Sequence, residues 1–341
     1  MGAAEGAGAR LGAARPGAEA TRAEGAYEAC ALCPRACGAD RASGAQGACG
    51  AGALPRVARA ALHFWEEPPL SGRDGSGAIF FSGCPLRCCY CQNASISATE
   101  AGVEVTSREL ASMALDLQAQ GALNVNLVTP THFAPTVREA MALARQEGLA
   151  LPVVWNTSGY ESVEAICSNT GTVDAYLTDF KYADAALGRA YSQVPDYPER
   201  ALEALRAMVE EAGPLRFDEH RGQDRLVGGV VVRHLLLPGH LDDSKRVVAL
   251  LWQEFGEAVR LSLMSQYTPL LGSRAAAGDV AAREALMRWP ALGQVVDEAA
   301  YEELLGFADD LGIDEYYFQE GGACEESFIP DFDLTGVAPG R

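Results

Sequence analysis

From Ala78 onward the chain alternates short β-branched or aromatic runs with stretches whose apolar residues recur at helical spacing. Ala78-Ile79-Phe80-Phe81 predicts a buried strand that runs straight into a group of cysteines. Thr106 with Glu109 three places on is a capping box, and Leu110, Met113 and Leu117 continue a helix that Gly121 stops. Asn124 to Val128 reads as strand two. The next helix has Pro135 in its first turn and a stripe of Val137, Met141 and Ala144. Val153-Val154-Trp155 is strand three, followed by a helix around Val163. Strand four runs from Val173 to Phe180, and the helix after it carries Leu202, Leu205 and Val209. Val227 to Leu237 is strand five, with Val247, Val248 and Leu251 on its helix, and Val259 to Met264 is strand six. Helices near Arg283 and Glu303 and a last strand from Ile313 to Phe318 complete the pattern. The charged stretch from Leu215 to Gly222 predicts a surface loop. Six or more strands separated by helices imply an α/β protein with a parallel sheet and right-handed crossovers. Period alone leaves a doubly wound sheet and an open or closed barrel as alternatives.

The flanks read differently. Residues 1–26 are mostly Ala, Gly, Glu and Arg without apolar periodicity, which predicts a disordered tail. Residues 27–75 form a Cys-rich extension, 76–320 the core domain and 321–341 a C-terminal tail. Among 341 residues the net charge is −19, with a pI near 4.7, which argues against binding nucleic acid through its phosphates. No apolar run reaches the ~18 residues of a membrane span, and no secretory pattern opens the chain. Gly6 stands where a myristoylation signal needs Ser or Thr. The expectation is a cytoplasmic protein with neither membrane nor nucleic-acid partners.

Ten cysteines change the picture. Four lie between Cys30 and Cys49, four between Cys84 and Cys91, and only Cys167 and Cys324 stand apart. In a reducing compartment clustered thiols bind metal more often than they pair. Cys84, Cys88 and Cys91 give C-x3-C-x2-C, three thiolates on one loop, suited to three irons of a cubane. The iron left without a protein ligand is then open to a chelating small molecule. Buried apolar cysteines or a partial zinc site would be the plainer reading, but zinc prefers four ligands. Choosing Cys89 over Cys88 would give the unusual C-x4-C-x-C, so Cys89 is treated as a bystander. Cys30, Cys33, Cys37 and Cys49 give C-x2-C-x3-C-x11-C, a spacing that suits structural zinc or a second cluster better than free thiols.

With Tyr90 just before its last cysteine, the C-x3-C-x2-C motif resembles the signature of the radical S-adenosylmethionine superfamily. Phe80-Phe81-Ser82-Gly83 and Cys91-Gln92-Asn93 are similar to the pyruvate formate-lyase activating enzyme branch. The chain resembles still more closely an uncharacterised subgroup of activating-enzyme-like iron–sulfur proteins. That likeness runs from about Cys30 to Gln319 and includes Val57 to Pro69 and Asn126 to Phe133. The resemblance implies a partial (β/α)6 TIM-like barrel with cofactor contacts at the C-terminal ends of the strands. It implies an enzyme that cleaves S-adenosylmethionine reductively at a 4Fe–4S cluster, giving a 5′-deoxyadenosyl radical for hydrogen abstraction. The favoured acceptor is a glycine of a glycyl radical enzyme; another peptide or a small molecule is the alternative. An iron–sulfur electron carrier or redox sensor is the alternative of another class. A one-electron reductant such as flavodoxin or ferredoxin is the implied partner, and no protein acid or base is assigned to the first step.

By the same likeness Tyr90 would contact the adenine. Thr178-Asp179-Phe180-Lys181 resembles the activating enzymes' Leu-Asp-Leu-Lys, placing Asp179 and Lys181 near the ribose or carboxylate of the cofactor. Asn156-Thr157-Ser158-Gly159 is similar to Asp-Thr-Asn-Gly, with Asn156 keeping a hydrogen-bonding side chain but not the charge. A packed aromatic and a solvated loop end are the plainer readings of these residues. Two departures stand out. Thr129-Pro130-Thr131-His132 replaces the Gly-Gly-Glu expected after strand two, and Ser265-Gln266-Tyr267 replaces a histidine expected after strand six. Of the histidines, His132 is expected to face the site, while His63 and His234 read as core or rim groups. The glycines from Gly72 to Gly77 do not make a phosphate loop, since no Lys follows and a strand comes next.

Overall fold

The computed structural model describes residues 25–98, 101–319 and 329–337. Its strands are β1 (Arg56–His63), β2 (Ser76–Phe81), β3 (Val103–Glu104), β4 (Val125–Val128), β5 (Val153–Thr157), β6 (Ala175–Asp179), β7 (Arg216–Glu219), β8 (Asp224–Leu235), β9 (Arg260–Met264) and β10 (Tyr316–Phe318). One sheet runs in the order β10-β9-β8-β6-β5-β4-β2-β1-β3, with β7 paired to β8. The pairs from β2 through β4, β5, β6, β8 and β9 to β10 are parallel and follow chain order. Such single winding is that of a barrel wall rather than of a doubly wound sheet. The wall does not close: β10 and β3 remain its ends. This is the partial TIM-like barrel.

Helices cover the outer face for reasons the sequence states. The Thr106–Glu109 capping box starts Ser107–Ala119, whose Leu110, Met113 and Leu117 are buried. In Ala134–Gln146 the buried stripe includes Val137, Met141 and Ala144. Tyr197–Ala212 and Leu241–Phe255 pack their apolar faces behind β6, β8 and β9 in the same way.

Two expectations change here. Leu215–Gly222 is not a surface loop. Arg216–Glu219 pairs antiparallel with an extension of β8, and Arg225 holds Asp218 across the pair at 2.6 and 2.9 Å. The division at residue 75 does not separate the sheet either, because β1 from the extension pairs antiparallel with β2. Of the segment read as an N-terminal tail, residues 1–24 lie outside the described residues, while Gly25–Glu28 form a helical turn that buries Tyr27. Of the C-terminal tail, residues 329–337 lie against β1: Leu334 N–H donates to Ala58 C=O, and Ala60 N–H to Thr335 C=O. Cys324 lies outside the described residues. Among the described residues no helix is long and apolar enough to cross a membrane.

Candidate functional site

A cavity of about 240 Å³ opens at the C-terminal ends of the parallel strands. Cys84, Cys88 and Cys91 line one side of it. The loop that carries them leaves β2 through Gly83, whose φ of +84° only glycine adopts readily; a Cβ there would also meet Cys49 C=O at 2.9 Å. Cys91 N–H donates to Cys88 C=O, which turns the loop back on itself. Burial, reinforced by the thiolates of Cys88 and Cys91, pushes the Cys84 thiol up to about 12. Burial also raises the Cys88 thiol, against the pull of Lys181. Gathered thiols in a low-dielectric pocket resist ionisation until a cation arrives, and iron supplies that cation. This donor set therefore fits three irons of a 4Fe–4S cluster. Cys89 does not line the cavity: its N–H donates to Tyr191 C=O and its carbonyl accepts from Arg274.

The residues expected to hold S-adenosylmethionine meet around the same cavity. Asn156, Asp179 and Lys181 sit at the ends of β5 and β6 and line it with Tyr90. Lys181 Nζ lies 2.5 Å from Asp179. Burial works to lower the Lys181 pKa, but the Asp179 carboxylate overrides it and the ammonium is held charged. The Tyr90 phenol is 2.6 Å from that of Tyr182, which lies 2.8 Å from Ser192 Oγ; Ser192 Oγ in turn is 3.0 Å from Cys88 Sγ. These polar contacts fix the cluster loop against the helix Ala185–Ser192.

The segment Thr129-Pro130-Thr131-His132 supplies no carboxylate to the cavity. Thr129 lines it with a left-handed φ of +60°, its N–H donating to Asn156 C=O at 2.8 Å. His132 does not face the site. It is 2% exposed, its Nε2 binds Ser82 C=O at 2.8 Å, and burial drops its pKa to about 3. His234 is likewise a core group, bound to Phe180 C=O, whereas His63 lines the cavity.

Sequence reasoning missed two groups. Glu66 and Arg233 also line the cavity, Arg233 beside Asp179 in the sheet register. Arg233 grips Glu67 at 2.6 and 2.7 Å and also pairs with Glu66, which accepts from Asn126 Nδ2 at 2.9 Å. The acidic pair in Trp65-Glu66-Glu67-Pro68-Pro69 was the only signal, and its cation lies on a distant strand. The other is Glu161, 1% exposed beneath the site. Its Oε1 accepts from the hydroxyls of Thr131 and Thr157 and from Trp155 Nε1 at 3.4 Å, while Oε2 has no partner among the described residues. Burial raises its carboxyl to about 7, with those hydrogen bonds opposing.

The profile of the radical SAM superfamily matches residues 78–251, about half of the chain, and spans the cysteine loop, β6 and β8. The chain belongs to the radical SAM superfamily. Membership implies a 4Fe–4S cluster and S-adenosylmethionine, which the thiol loop and the strand ends suit. An uncharacterised protein of Methanocaldococcus jannaschii, MJ0674, is 29% identical over 218 residues, 61% of this chain. The matched region spans 57% of that relative's length. Among solved structures, Streptococcus suis SuiB bound to precursor peptide SuiA aligns with a TM-score of 0.47 at 12% identity, over 70% of this chain and 46% of that one. A radical SAM methyltransferase from Sphaerobacter thermophilus aligns with a TM-score of 0.46 at 15% identity, over 71% and 65%.

Proposed function

We propose that this radical SAM protein binds S-adenosylmethionine between the Cys84–Cys91 loop and the ends of β5 and β6, and abstracts hydrogen from a peptide glycine. The observation that carries the reading is one cavity lined by Cys84, Cys88 and Cys91 together with Tyr90, Asn156, Asp179 and Lys181. When bound, the cluster and S-adenosylmethionine supply one-electron cleavage of the sulfonium to a 5′-deoxyadenosyl radical. The chain's own part is to hold and to shield. Lys181, kept charged by Asp179, offers an ammonium to the cofactor's carboxylate, and the Asn156 amide offers a donor and an acceptor. Tyr90, packed edge-on against Tyr191, keeps water from the cysteine side.

The remaining lining of the cavity bears on the acceptor. Trp65, Phe80, Met264 and Ile329 add apolar lining, with Trp65 55% exposed, and His63, Glu66 and Arg233 add polar groups. An exposed tryptophan beside this lining offers a contact for a protein acceptor. A one-electron donor of the flavodoxin or ferredoxin class would reduce the cluster. The test is anaerobic incubation of iron-loaded, dithionite-reduced protein with S-adenosylmethionine and candidate glycyl radical enzymes. 5′-Deoxyadenosine together with a glycyl-radical doublet by electron paramagnetic resonance supports the reading. Deoxyadenosine with no protein radical on any candidate would move the assignment to another substrate, and no deoxyadenosine at all would reject it.

A further inference from the structure

The N-terminal extension brings a second set of sulfurs against the back of the cluster loop. Between Ala29 and Pro55 the chain forms neither helix nor strand, and four cysteines fall within it. Cys30 and Cys37 are brought together by the backbone, where Gly38 N–H donates to Cys30 C=O at 3.0 Å and Cys30 N–H to Ala39 C=O at 3.1 Å. A Cβ on Gly47 would stand 3.2 Å from Cys49 Sγ and 3.6 Å from Cys37 Sγ. The backbone N–H groups of Arg35, Ala39 and Ala51, each two residues beyond a cysteine, point at the sulfurs of Cys33, Cys37 and Cys49. Donors arrayed in this way serve thiolates, and thiolates so close together need a metal.

Arg41 lies against the same cysteines. It is 1% exposed, and its guanidinium lies 3.5 Å from Cys30 Sγ. Its other partners are His132 C=O at 2.6 Å, Gly52 C=O at 2.5 and 3.0 Å, and the rings of Tyr27 and Phe133. Among the described residues no carboxylate pairs with it. A buried cation without an anion is unfavourable, and a tetrathiolate metal centre, which is net negative, would supply the missing charge.

The same segment holds the radical-site loop. Cys49 C=O accepts from Cys84 N–H at 3.2 Å. Arg35, between Cys33 and Cys37, donates to Pro85 C=O, to Leu86 C=O at 3.3 Å and to Ser192 C=O at 3.4 Å. We propose that Cys30, Cys33, Cys37 and Cys49 form a second, tetrathiolate metal centre, with Arg41 as its buried counter-ion, that braces the Cys84–Cys91 loop. Zinc and an iron–sulfur cluster both satisfy four thiolates, and this centre stands independently of the substrate assigned above.

The test uses the full chain, expressed anaerobically in three forms: unaltered, Cys84/Cys88/Cys91→Ala, and Cys33/Cys37→Ser. Zinc, iron and acid-labile sulfide are measured per chain. The triple-alanine form, which lacks the radical site, is expected to retain zinc, or iron with matching sulfide; which of the two it retains identifies the occupant. The serine form is expected to lose that complement while keeping the loop cluster, and an iron chelator should strip that cluster roughly tenfold faster, the worth of about one lost hydrogen bond. A metal-free triple-alanine protein overturns the centre without touching the radical-site reading, even if the serine form does not fold. Equal stripping rates overturn the brace.

Discussion

Replacing Glu161 by Gln tests the buried electrostatics beneath the site. The carboxyl ordinarily titrates at 4.5 and is raised to about 7 here because burial disfavours its charge. Below pH 4.5 both folded and unfolded chains carry the proton and the group is neutral in its effect. As pH rises toward 7 the unfolded chain ionises while the native one must keep its proton, so stability is lost across that window; above 7 both are ionised and the loss levels off. A difference of about 2.5 pKa units is about 3 kcal/mol. Gln keeps an acceptor for Thr131, Thr157 and Trp155 and cannot ionise. Urea melts of the two proteins, compared at pH 4.5 and pH 8, should therefore diverge by about 3 kcal/mol in favour of the variant at the higher pH. Trp155, whose indole donates to this carboxylate, gives a local fluorescence signal for the same event. Parallel pH profiles would refute the reasoning, because they would mean that Glu161 titrates alike in both states.

Three further outcomes follow from the geometry. Lys181→Met should leave the iron content unchanged and weaken S-adenosylmethionine binding about 10- to 100-fold, the worth of one charge-assisted hydrogen bond; an unchanged dissociation constant by calorimetry would remove Lys181 from the cofactor site. Arg233→Met strands Glu66 and Glu67 inside the fold and should lower stability by about 3–5 kcal/mol in denaturant melts. Adding Glu67→Gln to that variant should recover part of the loss, since the cost lies in the unpaired carboxylates; no recovery would assign it to packing instead.

The parallel strands were legible because each is an apolar or β-branched run bounded by turn residues; strand four ends on Asp179, with Lys181 two residues beyond it. β1 was not, because Arg56 and Arg59 interrupt its small residues and its burial comes from pairing with β2 and β3 and from residues 329–337 lying against it. β7 was hidden by its charge: Arg216 and Glu219 face outward, and pairing with an overlong β8 makes the strand. Within the site, the three cysteines sit on one loop and could be read directly. The Glu66–Glu67–Arg233 group could not, since its partners lie 166 or 167 residues apart and only the fold joins them. His132 misled because a histidine at a strand end looks like a ligand until its ring is seen bound to Ser82 C=O.

In the proposed function, three thiolates leave one iron open to S-adenosylmethionine beside Asn156, Asp179 and Lys181. The most direct measurement is electron paramagnetic resonance of the reduced, anaerobically prepared protein before and after adding that cofactor. The account predicts a 4Fe–4S signal whose g-values shift on addition, and its absence from the Cys84/Cys88/Cys91→Ala protein. A cluster signal that the cofactor leaves unchanged, or one that survives loss of all three cysteines, would contradict it.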